Sequence, residues 1–398
     1  MRQQQKQKQQ KLQKNKRMTM QDFLQPISDD LGLFLQNLPS SALGKTIDIH
    51  TKDHFPNLSK AKLALLTVNE FRGGDIAEFG LHFEDLRKNL YGLFPGNWTS
   101  NIVDLGMLQA GESLEDTYFA LKEICEFLYK KQIVPIVIGG SQDLTYAMYR
   151  AYDRLEQMVN LVTIDSKIDM VQDVANPSEN YLTKIILEEP NNLQNLSNLG
   201  YQTYFNSQEE IDLIEKMFFE AYRVGEIAND LSTAEPILRD ADLVSMDVSA
   251  VKSSDMGYFR TFNPNGFDGR EICAIARYAG LSDKISGFGL FNIDSKIEQS
   301  LLISQIIWYF FEGYSIRINE YPYISKKSYF KYIVPLEGQD LVFYKSDVSD
   351  RWWIEIEYEV YHDVTRKSLF PCTKKDYDRA LEQHIPERWW KAMKKLIL

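Results

Sequence analysis

Histidine and cysteine are scarce in this chain of 398 residues, with five of the first and three of the second. Cys125, Cys273 and Cys372 are widely spaced and odd in number. That argues against a disulfide framework or a cysteine zinc site and fits a reducing, cytoplasmic setting. No apolar run reaches the roughly 18 residues that a membrane-spanning helix needs, so no membrane partner is expected. The amino terminus lacks the apolar stretch of a secretory signal. Residues 1–17, MRQQQKQKQQKLQKNKR, instead carry seven basic residues and no acid, a composition that predicts a disordered basic tail. The formal net charge is −11, which leaves −18 on the rest of the chain and speaks against a broad nucleic-acid surface. What remains is an ordinary globular balance, 44% hydrophobic and 25% charged, able to bury a sizeable core in one large domain with appendages or in two domains.

Along the chain, strand-like and helix-like patterns alternate. KLALLTV (62–68), NIVDLGML (101–108), IVPIVIGG (133–140) and NLVTID (160–165) are apolar runs of buried-strand type. Between them, 115–131 repeats Tyr118, Leu121, Ile124, Cys125 and Leu128 at helical spacing. Residues 141–157 read as a helix with Asp143 as its N-cap. Further on, GYQTYF (200–205) reads as a strand. Residues 207–225 read as a helix whose Ser207 and Glu210 are spaced as a capping box. DADLVSMDVSAV (240–251) and GFGLFNID (287–294) are strands, each followed by a helical pattern, the first ending in Gly280 as a C-cap. This rhythm predicts an α/β domain with a central parallel sheet over about 60–316. Residues 18–59 are expected to pack on it. After 316, KYIVPL, DLVFYKS and RWWIEIEYEVY, then two helical pieces, predict a C-terminal α+β cap over 317–398. The tryptophans of SDRWW and PERWW read as packing anchors of that cap.

Ligands of parallel α/β sheets sit beyond the carboxyl ends of the strands. Polar residues gather at four such ends: Gly139-Gly140-Ser141-Gln142-Asp143, Asp165-Ser166-Lys167-Ile168-Asp169, Asp247-Val248-Ser249 and Asn292-Ile293-Asp294. In order and spacing these segments resemble those of the ureohydrolase family, which comprises arginase, agmatinase and formimidoylglutamase. The family carries GGDHS, DAHxD and SxDxDxxDP after successive strands. This chain offers GGSQD (139–143), DSKID (165–169) and SMDVSAVKSSD (245–255). The resemblance spans roughly 60–316 and implies a three-layer arginase-like fold. It also implies a possible homo-oligomer and a site where histidines and aspartates hold two manganese ions that bridge and ionise a water.

The departures from that pattern carry more weight. The family's motif histidines fall on Gln142 and Lys167, its first motif aspartate on Ser141, and the second aspartate of SxDxD on Ser249. A substrate-contacting glutamate falls on Asn292. His50, His54, His82, His362 and His384 all lie outside the motif segments. Asp165, Asp169 and Asp247 remain, and with the Lys167 ammonium they net −2, enough for one divalent ion at most. Two readings stay open. One Mn²⁺, Mg²⁺ or Ca²⁺ sits on Gln142, Asp165, Asp169 and Asp247, with Lys167 in place of the second ion. Alternatively no metal binds, and Lys167 pairs with Asp165 and Asp169 in a buried cluster; this second reading is preferred. Two manganese ions are not expected.

Asp143 and Lys167 are the catalytic candidates. Asp143 is better explained as an N-cap, and Lys167 is held charged by its acidic neighbours. Asn292 and Ser249 are substrate-side candidates. Phe259, Arg260, Asn263 and Asn265 line the expected cleft mouth, Gly73-Gly74 forms a substrate-side loop or a plain turn, and Arg270-Glu271 a structural pair. The sequence thus predicts a catalytically impaired or inactive ureohydrolase-like protein that uses the cleft to bind a small molecule or a protein partner. The alternative is a metal-dependent hydrolase of C–N bonds in guanidino or formimidoyl compounds.

Overall fold

The structure is a computed structural model that describes residues 20–74, 83–99, 101–171, 176–257, 263–293, 297–320, 322, 328–361 and 364–397. The basic tail, Phe259 and Arg260 lie outside the described residues. The strands of the main sheet are β1 (Leu24–Gln25), β2 (Asp48–Ile49), β3 (Leu63–Asn69), β4 (Ile102–Gln109), β5 (Val134–Ile138), β6 (Val159–Ile164), β7 (Leu193–Tyr201), β8 (Glu220–Arg223), β9 (Leu243–Asp247) and β10 (Gly287–Phe291). They lie in the order β1-β4-β3-β5-β10-β9-β6-β7-β8, with β2 also on β4. β1 pairs antiparallel; its neighbours in the sheet pair in parallel.

Successive residues of these strands face opposite layers. Leu65, Ile136 and Val162 belong to one core, and Leu66, Val137 and Leu161 to the other. Both faces are covered, so strands such as β5, VPIVI, are uninterrupted apolar runs. The first layer is built by α1 (Phe83–Gly92), which sits with two later helices introduced below. The second is built by α2 (Leu114–Lys130), α3 (Leu144–Arg150), α4 (Tyr181–Leu187) and α5 (Gln208–Lys216). The helices α6 (Gly269–Gly280) and α7 (Ile297–Ile316) complete the first layer with Ile272, Ile275, Ile303 and Phe310. The expected three-layer α/β fold is therefore present. No helix among the described residues is long and apolar enough to cross a membrane.

Several expected elements shift. The strand expected at 200–205 runs instead over β7, and Thr203–Phe205 forms a 3-10 turn. Asn198 and Ser197 are polar but buried in β7. They are satisfied by bonds to Thr163 Oγ1 (3.1 Å) and Glu220 Oε2 (2.8 Å), so the strand tolerates them. The long helix expected over 207–225 keeps its Ser207–Glu210 capping box but stops at Lys216. Phe218 then adopts a left-handed φ of 56°, and β8 follows. The helix after Asp143 ends at Arg150. α6 ends at Gly280 as expected, but Gly280 is its last helical residue and Leu281 its C-cap. A Cβ on Gly280 would lie 2.3 Å from Phe310 O, and one on Gly313 2.2 Å from Arg277 O, so this glycine pair lets α6 and α7 pack backbone to backbone. Glu271 is structural, since its carboxylate accepts from the Asp268 N–H (2.8 Å) at the start of α6.

The carboxy-terminal part is an antiparallel sheet of β11 (Tyr329–Leu336), β12 (Gln339–Ser346), β13 (Trp352–Tyr361) and β14 (Val364–Cys372), followed by α8 (Lys374–Leu381) and α9 (Glu387–Ile397). β14 is a strand that the sequence pattern missed. Trp352, Trp353 and Trp389 are buried packing anchors, whereas Trp390 is 41% exposed. This cap meets the body at the amino ends of β7, β8 and β9. The buried Arg239 donates from Nη2 to the carbonyls of Trp352 (3.0 Å) and Cys372 (3.3 Å) and lies 4.4 Å over the Trp353 ring. Arg388 pairs with buried Glu220 at 2.6 Å, and Arg351 with Glu235 at 3.3 Å.

Removing the guanidinium takes a charged donor from two buried carbonyls and bares a tryptophan face. Arg239→Ala is expected to lower unfolding stability by about 3 kcal/mol, and Arg239→Lys to recover only part of it, because an ammonium lacks the fork. Chemical denaturation read by tryptophan fluorescence checks this; equal stability of Arg239→Ala and wild type would contradict it.

Candidate active-site cleft

β9 and β10 come late in the chain but lie between β5 and β6, so the segments leaving β5, β6, β9 and β10 converge at the carboxyl edge of the sheet. The turn after β5 needs its glycines. Gly139 and Gly140 have φ of +93° and +78°, and a Cβ on Gly140 would meet Glu70 O at 2.6 Å. The Gly140 carbonyl accepts from Asn292 N (2.8 Å), which ties the β5 and β10 loops together. Gln142 is carried beneath them, buried.

Asp165, Asp169 and Asp247 are all buried, at 1%, 5% and 5% exposure. Asp247 accepts from Ser249 N and from Asn292 Nδ2, both at 2.6 Å. Asp165 Oδ1 accepts from Lys167 N at 2.8 Å, while its Oδ2 has no partner among the described residues. Asp169 sits at a left-handed φ of 54°, a conformation that aspartate and asparagine tolerate better than most residues. Burial raises all three carboxyls. Asp165 is held well above the carboxylate range by burial and by the charges of Asp247 and Asp169. Burial and Asp247 push Asp169 up to about 8 against the pull of Lys167. Asp247 is raised by burial against the bonds from Ser249 and Asn292.

The cation expected among these acids lies elsewhere. Lys167 is 47% exposed and places its Nζ 3.2 Å from Glu179, with no ion pair to Asp165 or Asp169. It forms no buried salt-bridge cluster, because its long stem carries the ammonium outward to a wetter carboxylate. Burial lowers its pKa, but Asp169, Glu179 and Asp165 outweigh that and raise it. Asp143 is also placed differently. It stands at the N-cap position of α3 but makes no capping bond. Its buried carboxyl accepts instead from Tyr118 OH and from Ser178 Oγ (2.8 Å). Gly73 presses on it so closely that a Cβ there would lie 2.0 Å from the carboxyl oxygen. Gly73-Gly74 is thus the roof over Asp143, and Gly73 has to be glycine. Sealed in this way, Asp143 is poorly placed to act as a base.

Ser249 holds Asp247 through its backbone and approaches Ser166 Oγ at 3.3 Å. Asn263 and Asn265 brace the neighbouring loop: Asn263 Nδ2 donates to Ser249 O (3.3 Å), and Asn265 O accepts from Gln202 Nε2 (2.9 Å). Tyr181 is a cleft residue that sequence reasoning missed. It is buried, and burial together with Asp169, Asp165, Asp247 and Asp143 holds its hydroxyl protonated.

A dinuclear centre does not fit these residues. The segments hold no histidine, and Lys167 and Ser249 stand where the resemblance puts two metal ligands. Among the described residues, no group of three or more His, Cys, Asp or Glu side chains is arranged to hold a metal ion. Asp165, Asp169 and Asp247 therefore sense one another electrostatically without closing a coordination shell.

The acids bind protons more tightly folded than unfolded: Asp169 moves from 3.8 to about 8 on folding. Folding thus takes up protons between those values, and this contribution to stability falls as pH rises through the window. Asp169→Asn keeps the left-handed backbone and removes the buried charge. It is expected to raise the thermal midpoint by several degrees at pH 8 and by much less at pH 5. Scanning calorimetry at the two pH values checks the sign; equal shifts at both would refute it.

Residues 82–310 match the family model described as Arginase family. Three solved structures share the fold. Formiminoglutamase from Trypanosoma cruzi, whose structure contains Mn²⁺, is 16% identical over 66% of this chain and 96% of its own, with a TM-score of 0.61. Formimidoylglutamase from Bacillus subtilis is 15% identical over 73% and 99%, with a TM-score of 0.59. The agmatine ureohydrolase of Thermoplasma volcanium is 14% identical over 72% and 97%, with a TM-score of 0.55. At such identities the likeness to these three is one of fold. A search of the curated proteins finds no match. With the family model matching more than half of its length, this chain belongs to the arginase family.

Proposed function

We propose that this protein keeps the arginase-family cleft without its dinuclear hydrolysis, and uses it to bind a small cationic molecule bearing a guanidino, amidino or amino group. The observation that carries this reading is the buried trio Asp165, Asp169 and Asp247, raised in pKa and in no ion pair with a lysine or arginine side chain among the described residues. A planar cation or an ammonium placed there supplies the missing counter-charge and donates to the free Asp165 Oδ2. Gln142 and Asn292 add amides on either side.

Hydrolysis of an amidine needs an activated water. Neither candidate among the described residues is suited to making one: Asp143 is roofed by Gly73, and Lys167 is held charged on Glu179. In this reading no divalent ion is required. The three cysteines are free and buried, which suits the reducing cytoplasm proposed as its location.

Calorimetric titration with agmatine in EDTA is expected to show binding that Asp247→Asn weakens about tenfold or more. Arginine, agmatine and formimidoylglutamate are expected to release no urea, ammonia or formamide above the blank, with or without Mn²⁺. Product release that scales with protein and Mn²⁺, and is lost in Asp165→Ala, would overturn the proposal in favour of a metal-dependent hydrolase.

A further inference from the structure

At the opposite, amino end of the sheet a half-open pocket of about 240 Å³ lies between the body and the cap. That is room for several waters or for one compact organic molecule. Its body wall comes from the starts of β6, β7 and β8 and the segments that precede β9 and β10. Its cap wall comes from β13, β14 and α9, which lie wholly beyond the family match ending at residue 310.

The charges in it do not cancel. Arg388 is satisfied by Glu220 (2.6 Å), and Lys284 by Asp240 (2.8 Å). Lys391 has Glu387 at 2.8 Å, a carboxylate 74% exposed and therefore a weak, screened partner. Lys395 has no carboxylate within ion-pair distance among the described residues. Its Nζ rests on the neutral Asn195 Oδ1 and lies 4.8 Å from the centre of the Phe219 ring. Burial pulls Lys395 down to about 8, with Arg388 and Lys391 adding repulsion that Glu220 opposes. Beside these cations, Ile356, Phe370 and Leu396 form an apolar wall. On the body side, the buried Asn160 leaves its Oδ1 without a hydrogen-bond donor, an acceptor that a bound water or a ligand hydroxyl satisfies.

From this juxtaposition of two undercompensated lysines, an apolar wall and a half-open pocket between body and cap, we infer that the pocket is a binding site for a small amphipathic carboxylate. Its charge lies on Lys395 and Lys391 and its apolar body along Phe370 and Leu396. Because both walls contribute, such a ligand bridges cap and body and stabilises their docking. The inference is independent of what the cleft at the carboxyl edge binds.

The test uses the full-length chain and benzoate as the probe, read by calorimetric titration and by thermal midpoint. Benzoate is expected to bind saturably and to raise the midpoint. Benzamide, of the same shape without the charge, and inorganic phosphate, charged without the apolar body, are expected not to bind at the same concentrations. Lys395→Met keeps the apolar stem and is expected to weaken benzoate about tenfold or more, Lys391→Met to weaken it less, and Asp247→Asn in the distant cleft to leave it unchanged. Should Lys395→Met fail to fold, Lys395→Gln and Lys391→Met carry the comparison. No benzoate binding, equal binding of benzamide or of phosphate, unchanged affinity in the lysine variants, or loss of binding in Asp247→Asn would each overturn the inference.

Discussion

Three aspartates buried at one edge of a sheet, with no cation in contact, constrain everything around them. Each carboxyl that loses water has to be compensated by a proton, a hydrogen bond or a counter-ion. The protein supplies mainly hydrogen bonds: Ser249 N and Asn292 Nδ2 to Asp247, and Lys167 N to Asp165. The loops are shaped to deliver those donors. Asn292 can reach Asp247 because its own N–H is tied to Gly140 O, and Gly140 can offer that carbonyl because it has no side chain to strike Glu70. Backbone geometry and electrostatics at this edge are therefore one problem with one solution.

Much of the fold was legible because a parallel sheet covered on both faces writes its strands as uninterrupted apolar runs. LALLTVN and VPIVI could hardly be anything else. β7 was not legible for the converse reason. Its Asn195, Ser197 and Asn198 look like loop residues until Glu220 and Thr163 are seen to satisfy them, and those partners come from other strands. Gly280 has the signature of a helix end in the sequence, and only the crossing of α6 with α7 shows that it serves close approach.

The candidate cleft was legible in its backbone and misleading in its side chains. Motif order placed Gln142, Asp165, Asp169, Asp247, Ser249 and Asn292 at neighbouring strand ends, because topology fixes where a strand end goes. Where the tip of a flexible side chain goes is another matter. Lys167 turns to Glu179, and Asp143 takes hydroxyls from Tyr118 and Ser178 rather than capping α3. Neither partner can be read from local spacing, since Tyr118 is 25 residues from Asp143. The loss of every motif histidine needed no structure at all.

The cap grips the sheet through Arg239, Glu220 and Glu235, all at or near the amino ends of its strands. The carboxyl edge takes no part in that grip. The grip of the cap and the candidate cleft thereby lie at opposite ends of the same strands. A change of side chain at Gln142, Lys167 or Ser249 leaves the contacts of the anchored end in place. An arrangement of this kind lets a lineage exchange one binding chemistry for another without passing through an unfolded ancestor.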